Sequence, residues 1–444
     1  MYFSKTRVSR QQRSTRLRVE MLEDRVTPSA TAVTAAGYLM SPAIDPPGPT
    51  SSAPVQVVKG MVETPIAQES AMLGWSAPVT GVTITSEALD TSNPADPLLV
   101  AVGYAHDPVS SDIDLAVRQV HTSDGSLFNA RLYNLSGLDI NGLSVAVDGS
   151  GTIYPAGTIG AVGAVARFQR SLPSSPDWVV TAGLNLKGVT LDAAGTNLYA
   201  AGAAVGTHAT DIFVLKLTDL ANSTPTTVYS DIRSSSAGAS YANAVKVNSD
   251  GRADVAASVE FDPNTYFSPD FNQIEPDGSN KPGWGHPNIQ GDMTGVALFS
   301  NGDQIMVGTF FDPADPAMIT GIATERINVL VNGDPVGDFI WQNFYYWQIG
   351  PNLVNSSARG VAVDGADNFI YAGSIDNGAP TGIDMWVVKT DGATGLTQLD
   401  QIAVDNGPNN TDVANAIVLD AAGNAYIGGT TNSDGLLVQI TNFN

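Results

Sequence analysis

The stretch Ile417-Val-Leu-Asp-Ala-Ala-Gly-Asn-Ala-Tyr-Ile-Gly428 decides the fold, because its form recurs along the chain. Each copy has an apolar alternation, a turn rich in Asp, Asn and Gly, and a second apolar run that ends near a small residue. Alternation is typical of a β-strand, and Asp or Asn with Gly supplies the positive φ of a tight hairpin. The copies begin at Val82, Val145, Val189, Val245, Val296, Val361 and Ile417, the first being the weakest.

Two further strands follow each copy. A third apolar run is clearest in Asp211-Ile-Phe-Val-Leu-Lys-Leu217 and Asp384-Met-Trp-Val-Val-Lys389, and a turn such as Asp391-Gly392 then leads to a fourth. Seven units of four antiparallel strands predict an all-β fold, a seven-bladed β-propeller. A tyrosine recurs in the second strand, where it predicts core packing with a satisfied hydroxyl. The positions are Tyr154, Tyr199, Tyr371 and Tyr426.

The ends of the repeating part fit together. The last unit stops at Asn444 after its third strand, and a spare strand, residues 70–77, lies ahead of the first unit. A propeller closes its ring when a terminal strand completes the blade begun at the other end, because no sheet edge is then left exposed. We therefore predict that residues 70–77 pair with residues 435–441.

The units resemble the bacterial SBBP β-propeller repeat, and more distantly the NHL blade. They share the form Val-x-Val-Asp-x-x-Gly-Asn-x-Tyr-x-x-Gly-Thr, which residues 417–430 match best. The resemblance implies a propeller fold and an extracytoplasmic location, and no particular activity. The fourth unit departs from it, with Asp254 in place of the tyrosine and Ala257 in place of the glycine. Pro155 lies inside an interior strand and predicts a bulge there.

Three regions are expected along the chain. Residues 1–28 are basic, and residues 16–28 resemble the "LEDR-x-TP" leader of exported planctomycete proteins, which implies export to the cell surface, periplasm or medium. The alternative for this region is a basic amphipathic helix that caps or tethers the domain. Residues 29–68 are rich in Pro, Ala, Thr and Ser, which predicts a disordered linker. Residues 69–444 form the predicted propeller.

Charge and composition exclude several classes of protein. The net charge of −23 disfavours binding to nucleic acid, whose phosphates an acidic body repels. The chain has no cysteine, so disulfides, zinc–thiolate sites and thiol catalysis are excluded. The chain contains no run of 18 apolar residues, so we predict no transmembrane segment. We expect a monomer.

The sequence selects no catalytic residue. The histidines, His106, His121, His208 and His286, lack metal-ligand spacing, and no nucleophile elbow or phosphate-binding loop is present. Calcium is the weaker alternative for the oxygen-rich turns at Asp148-Gly-Ser-Gly151 and 364–368, because hairpins need Asp and Asn anyway. We therefore predict no cofactor, and the metal content is left open.

One aromatic segment is a candidate ligand-binding surface. Six of the nine residues from Phe339 to Trp347 are aromatic. We expect Tyr345, Tyr346 and Trp347 to enter a loop and to form, on the same side as Trp284 and His286, a platform for a sugar ring or a protein partner. The alternative is packing between blades.

Two functions remain open. The first is a binding or cell-surface structural module for carbohydrate or protein partners, without catalysis. The alternative is a secreted polysaccharide hydrolase or lyase that uses acidic residues at the channel mouth. Converging carboxylates or histidines at the mouth favour the enzyme, whereas a channel lined by small or apolar residues favours the binding module.

Overall fold

The computed structural model describes residues 55–61, 71–106, 112–134, 140–234, 238–262, 266–285, 290–311, 319–328, 339–349, 352–378, 382–407, 410–432 and 434–443. Within these ranges the regular structure consists of β-strands, and no helix is formed. Antiparallel sheets of four strands dominate the topology. The predicted all-β class and the four-stranded antiparallel sheet are therefore confirmed.

Two strands precede the repeating units, β1 (Val55–Met61) and β2 (Met72–Val79). Units 1 to 4 are sheets in which each strand pairs with the next one along the chain. Unit 1 consists of β3 (Val82–Asp90), β4 (Leu98–His106), β5 (Ile113–His121) and β6 (Leu127–Tyr133). Unit 2 consists of β7 (Ile140–Val147), β8 (Ile153–Ile159), β9 (Val162–Arg167) and β10 (Trp178–Thr181). Unit 3 consists of β11 (Asn185–Leu191), β12 (Leu198–Ala204), β13 (Asp211–Thr218) and β14 (Thr226–Arg233).

The later units follow the same plan with additions. Unit 4 consists of β15 (Ser240–Val247), β16 (Ala253–Asp262), β17 (Tyr266–Ile274) and β18 (Asn280–Gly285). Unit 5 consists of β19 (Gln290–Leu298), β20 (Gln304–Phe311), β21 (Thr320–Ile327) and β22 (Phe339–Ile349), with the short β23 (Asn352–Val354) paired to β22. Unit 6 consists of β24 (Ser356–Val363), β25 (Phe369–Gly378), β26 (Gly382–Thr390) and β27 (Gln398–Val404). Unit 7 consists of β28 (Asn410–Leu419), β29 (Ala425–Thr431), β30 (Asp434–Thr441) and β2.

Units 6 and 7 are hydrogen-bonded into one eight-stranded sheet. The link between them is a short parallel contact, in which Gly382 and Ile383 of β26 lie opposite Asn410 and Thr411 of β28. The structure therefore contains six sheets by hydrogen bonding, and the largest of them divides into two groups of four strands at this contact.

The first strand of each unit is the innermost. These strands contact one another in a cyclic order, β3, β7, β11, β15, β19, β24, β28 and back to β3. The last unit also reaches the first through hydrogen bonds, from Asn415 Nδ2 to the Ile84 carbonyl at 2.7 Å and from the Gly81 amide to Asp434 Oδ1 at 2.8 Å. The chain therefore returns to its starting point around a central axis, as propellers do.

The predicted pairing of the N-terminal and C-terminal strands is confirmed. Strand β2 is antiparallel to β30, from Met72 opposite Thr441 to Val79 opposite Gly435. Trp75 anchors β2, because its indole Nε1 donates to the Thr122 carbonyl at 2.9 Å. The outer edge of β30 is thus covered by a strand from the other end of the chain, which leaves no unpaired edge there.

The recurring hairpins explain the recurring tyrosines. In unit 7, Asp420 Oδ1 accepts hydrogen bonds from the amides of Ala422 and Asn424, and Tyr426 donates its hydroxyl to Asp420 Oδ2 at 3.0 Å. Gly423 supplies the positive φ of the turn, 83°. Tyr154 makes the same contact with Asp148 in unit 2, also at 3.0 Å. The expectation of a buried tyrosine with a satisfied hydroxyl is confirmed in these units.

Part of the expected linker is a strand. Residues 55–61 form β1, which runs parallel to β22 outside unit 5, with Val55 opposite Gln342 and Val58 opposite Tyr345. The expectation of a linker over residues 29–68 therefore needs correction for these seven residues; residues 29–54 and 62–68 lie outside the described ranges. The cause is the Val-Gln-Val-Val-Lys segment, whose branched side chains favour a strand beside the otherwise unpaired edge of β22.

The bulge predicted at Pro155 is absent. Pro155 lies opposite Val145 in β7, and the pairing of β8 with β9 keeps one register on both sides of it, with Ala156 opposite Val165 and Ile153 opposite Phe168. Proline lacks the amide that would pair with β9, so the ladder is interrupted there and no residue is inserted.

Candidate functional site

The aromatic segment of β22 is buried. Tyr345, Tyr346 and Trp347 are 3%, 2% and 3% exposed, and the strand continues past them to Ile349. The expected exposed platform is therefore corrected: these residues lie in the sheet and not in a loop. The physical reason is that a sheet between two others buries both of its faces, so that alternating side chains are all covered.

The two faces of β22 pack against different neighbours. Trp341, Tyr345 and Trp347 join a cluster with unit 6, in which the rings of Trp347 and Trp386 meet edge to face with centroids 4.0 Å apart. Phe344 and Tyr346 join a second cluster with Phe310 and residues of unit 4. The Tyr345 hydroxyl donates to the Gly395 carbonyl. Packing between neighbouring sheets, the alternative interpretation, accounts for this segment.

The other two predicted residues are placed only in part. Trp284 lies on β18, where its backbone pairs with Phe271. His286 lies outside the described residues. The expectation that these two residues lie on the same side as the aromatic segment therefore stays a prediction.

The histidines that can be placed are separate. His121 Nδ1 lies 2.7 Å from Asp96 Oδ1, and His208 Nδ1 lies 2.9 Å from Asp211 Oδ1. His106 ends β4. In the ranges that the structure describes, the histidines form no cluster that could hold a metal ion.

The oxygen-rich turns considered for calcium are satisfied by the chain itself. Asp148 accepts hydrogen bonds from the amides of Ser150 and Thr152 and from the hydroxyls of Ser150 and Tyr154. Although burial opposes the charge, these bonds hold the pKa of Asp148 below its ordinary value. Asp364 likewise accepts the amides of Ala366 and Asn368, and it pairs with Lys389 at 2.9 Å. These turns are the structural hairpins that the sequence favoured.

A ring of bulge residues surrounds the central axis. Each innermost strand contains one inserted residue, at the same place relative to its partner strand. We call this set the bulge ring; its members are Thr85, Leu143, Lys187, Asn243, Thr294, Arg359 and Asn415. A bulge interrupts the alternation of side chains along its strand and changes the direction of the inserted side chain. Each unit therefore has one such side chain on its innermost strand.

Five members of the bulge ring donate a hydrogen bond to the following unit. Asn243 Nδ2 donates to the Met293 carbonyl at 2.8 Å, and Thr294 Oγ1 donates to the Ala358 carbonyl at 2.8 Å. Lys187 Nζ donates to Asn243 Oδ1 at 2.9 Å. Arg359 donates to Asn415 Oδ1 at 2.7 Å, and Asn415 reaches unit 1 as described above. The ring thus fastens units 3 to 7 and unit 1 together.

Two members of the bulge ring are cations. Arg359 is exposed and Lys187 half-buried, yet desolvation lowers the pKa of both side chains. Solvent therefore reaches both side chains, although the surrounding protein disfavours their charged forms. Lys187 Nζ also lies 3.9 Å from the ring centre of Tyr241, whose hydroxyl donates to Asp292 at 3.0 Å.

Small residues beside the bulge ring bring the innermost strands close together. A Cβ atom added to Gly360 would lie 2.9 Å from the Cα atom of Ala416, and one added to Gly188 would lie 2.9 Å from the Cα atom of Ala244. Glycine is required at these positions because the neighbouring backbones leave no room for a side chain. The ring therefore marks a narrow part of the channel.

The sequence carries a signal for the bulge ring. Each ring member lies two residues before the valine or isoleucine that opens the apolar alternation, except in unit 1, where Glu87 holds that place. Five of the members are polar or charged residues followed by a small residue and then Val or Ile, as in Lys187-Gly-Val189 and Arg359-Gly-Val361. The exceptions are Thr85 and Leu143.

A surface cavity lies on the side of the molecule where second strands end and third strands begin. Its volume is about 280 Å³, and its lining combines apolar and polar side chains. Ile319, Leu353 and Val354 form the apolar part, while Asn355, Asp376, Asn377 and Gly378 form the polar part. The cavity is lined by units 5 and 6 and the segment that joins them.

Comparison with known proteins supports the fold. Residues 400–436 match the family described as SBBP, beta-propeller repeat. The periplasmic gluconolactonase PpgL of Pseudomonas aeruginosa is similar in structure, with a TM-score of 0.50 and 12% identity over 78% of this chain and 99% of that chain. Sqt1 of Chaetomium thermophilum, bound to the N-terminus of ribosomal protein L10, has a TM-score of 0.50 and 11% identity over 83% of this chain and 99% of that chain.

No curated protein sequence matches the chain. The solved structures are too distant in sequence to indicate more than a shared fold. Within the described ranges no helix has the length and apolar character needed to cross a membrane.

Proposed function

We propose that the chain is an exported, seven-bladed β-propeller that binds an anionic group of a carbohydrate or protein partner at its central channel. The bulge ring carries this proposal. It offers two cations with amide and hydroxyl groups, and none of its members is a carboxylate or a histidine. Cations in a desolvated channel attract carboxylate, sulfate or phosphate groups more strongly than cations on an open surface do.

The blade count rests on the cyclic contacts of the innermost strands. Seven such strands follow one another around the axis, and units 6 and 7, although packed together, share only two paired residues in their strand ladder within the described ranges. We therefore treat units 6 and 7 as two blades, the second of which is completed by β2.

Export is proposed from the leader resemblance at residues 16–28, which lie outside the described residues. A fusion of residues 1–54 to a reporter enzyme, expressed in a planctomycete host, tests it. We expect the reporter in the envelope or the medium; a reporter that stays in the cytoplasm contradicts export.

Binding is best tested with two ligand sets at low ionic strength. One set contains carboxylated and sulfated glycans with their neutral parent glycans, and the other contains acidic peptides with their amidated forms. We expect one anionic set to bind and its neutral counterpart not to bind. We also expect Lys187→Gln and Arg359→Gln each to weaken binding about tenfold, the typical effect of losing a charged hydrogen-bond partner.

Arg131→Gln is the matched control. Arg131 lies on β6, the outermost strand of unit 1, where its guanidinium donates to the Leu172 carbonyl at 3.1 Å. This substitution removes one positive charge far from the channel, so that affinity should change by less than about twofold. Equal losses in all three variants, or binding of the neutral ligands, would contradict a channel site.

Catalysis is the second candidate function. The fold is compatible with both binding and catalysis, since the similar structures include a gluconolactonase and a protein bound to the N-terminus of a ribosomal protein. A hydrolase or lyase of acidic polysaccharide would release reducing ends from the glycans that bind. Measuring reducing ends in the binding mixtures distinguishes the two functions directly.

A further inference from the structure

Three carboxylates from different strands or strand ends of units 6 and 7 lie close together in the structure. Asp384 lies near the start of β26, Asp405 follows β27, and Asp412 lies near the start of β28. One carboxylate oxygen of each lies within 4.8 Å of the others. Asp384 and Asp412 are buried, and Asp405 is half-buried. Three like charges at this spacing repel one another strongly unless a cation or protons offset them.

Asp412 provides the second observation. It is fully buried, and its Oδ1 atom has no hydrogen-bond partner of normal geometry in the described part of the chain. Its other oxygen, Oδ2, accepts the amide of Asn406 at 2.7 Å. Neither Asp405 nor Asp412 forms an ion pair with Lys or Arg among the described residues. A buried carboxylate oxygen that accepts nothing is costly unless another species completes its coordination.

The equivalent place in unit 3 shows how this fold satisfies a single acid. By strand register, Asp211 corresponds to Asp384, Ser234 to Asp405 and Ser240 to Asp412. The Ser234 hydroxyl donates to Asp211 Oδ2 at 2.5 Å, and the His208 amide donates to the same oxygen at 3.0 Å. The single acid of unit 3 is thus satisfied by a hydroxyl, an amide and the His208 ring. The Ser240 hydroxyl instead accepts from the Ile212 amide and donates to the Arg233 carbonyl. Units 6 and 7 have replaced both hydroxyls by carboxylates.

We propose that Asp384, Asp405 and Asp412 bind one calcium ion. All the donors are oxygens, which hard cations prefer over nitrogen and sulfur ligands. Magnesium keeps several of its water ligands and is seldom held by three protein carboxylates, whereas calcium accepts several carboxylates in a flexible geometry. Water and nearby side chains such as Thr431 complete the coordination.

Other features of the site agree with this proposal. Asn377, which donates to Asp384, also lines the surface cavity described above. A calcium ion here would hold the ends of β26, β27 and β28 together, at the junction of units 6 and 7. This site is separate from the bulge ring and does not depend on the proposed function.

Calorimetric titration of the full chain, stripped with EDTA, tests the proposal. We expect one saturable calcium site with a Kd below about 1 mM, and magnesium binding at least about tenfold weaker. Asp405→Asn and Asp412→Asn should each weaken calcium binding about tenfold or more, because each removes a charged ligand. Asp211→Asn, at the equivalent place in unit 3, is the matched control and should leave the Kd within about twofold.

Thermal unfolding supplies a second measurement that does not depend on titration heats. In EDTA, Asp405→Asn should unfold at the same temperature as the unchanged protein or higher, because it removes repulsion. Calcium should raise the melting temperature of the unchanged protein and of Asp211→Asn, and not that of Asp405→Asn. Absence of saturable binding up to 10 mM calcium, or unchanged affinity in both Asp405→Asn and Asp412→Asn, would overturn the site. If Asp412→Asn fails to fold, the half-buried Asp405 alone decides.

Discussion

Glu87 of unit 1 lies directly against Gly428 of unit 7. A Cβ atom added to Gly428 would be 2.2 Å from Glu87 Oε2, and the Glu87 side chain is 7% exposed. The corresponding position is apolar in every other unit, where it is Val145, Val189, Val245, Val296, Val361 or Ile417. A buried acid therefore lies at the junction where the ring closes. Burial raises its pKa to about 8, although the nearby Gly428 backbone favours the charged form.

The first prediction concerns the dependence of stability on pH. An acid whose pKa is higher in the folded than in the unfolded chain binds more protons when folded. The stability that Glu87 contributes is therefore fully present below its ordinary pKa of 4.5 and is lost as pH rises towards 8. Glu87→Gln removes this titration and keeps the shape. Urea unfolding at pH 5 and pH 8 should show that Glu87→Gln gains stability over the unchanged protein as pH rises.

Other buried acids titrate in the same range, so the difference between the two proteins is the informative quantity. Burial raises the pKa of Asp254 to about 7, and this residue changes the stability of both proteins equally with pH. Glu87→Val should be more stable than the unchanged protein at pH 8, because it restores the side chain found in five of the other units. Parallel pH curves for the unchanged protein and Glu87→Gln would contradict the prediction.

The second prediction concerns the closing strand. Deleting residues 1–68 removes β1 and keeps β2, whereas deleting residues 1–80 removes both. The longer deletion exposes the edge of β30 and removes Trp75 from its place beside Thr122. We expect it to lower the melting temperature by about 10 °C or more, or to cause association through the free edge. Light scattering and thermal unfolding measure both effects, and equal stability of the two shortened chains would disprove closure by β2.

The third prediction concerns the aromatic strand. Trp347→Ala should lower the free energy of unfolding by about 3–5 kcal/mol, because it removes a buried ring and its contact with Trp386. The exposed Ile340 lies on the same strand, so Ile340→Ala should cost less than about 0.5 kcal/mol. Urea unfolding of the two variants tests the burial of the segment. A Trp347→Ala variant that keeps its stability but loses ligand binding would instead support an exposed aromatic platform.

The fourth prediction concerns the tyrosine–aspartate contact in the hairpins. Tyr426→Phe and Tyr154→Phe each remove one hydroxyl that donates to a turn carboxylate, at a cost of about 1 kcal/mol each. The two hairpins belong to different units and share no partner, so the effects should add in the double variant. A double variant no less stable than either single one would show that the hydroxyls do not stabilise the turns.

The strands themselves were predictable because their signals are local. Alternation along Val361 to Val363 and a turn at Asp364 specify a hairpin whatever surrounds it, and the structure forms that hairpin. The pairing of β2 with β30 was also predictable, since an incomplete last unit and a spare strand can satisfy each other's backbone groups. The prediction of an exposed platform around Tyr345 is wrong because the sequence shows where aromatic residues occur and not which faces of a strand are covered.

The sequence by itself determined the repeat, the four-stranded antiparallel sheet and the partner of the closing strand, because hydrogen bonding and alternation act over short distances or between complementary ends. Only the tertiary structure decided which side chains converge. Asp384, Asp405 and Asp412 meet because three strand ends of two units lie side by side, and Lys187 and Arg359 join one ring because bulges at equivalent positions point to a common axis. Such convergence depends on the arrangement of whole sheets around that axis; the recurring pattern marks where the ring members occur along the chain, but only the packed sheets bring them together.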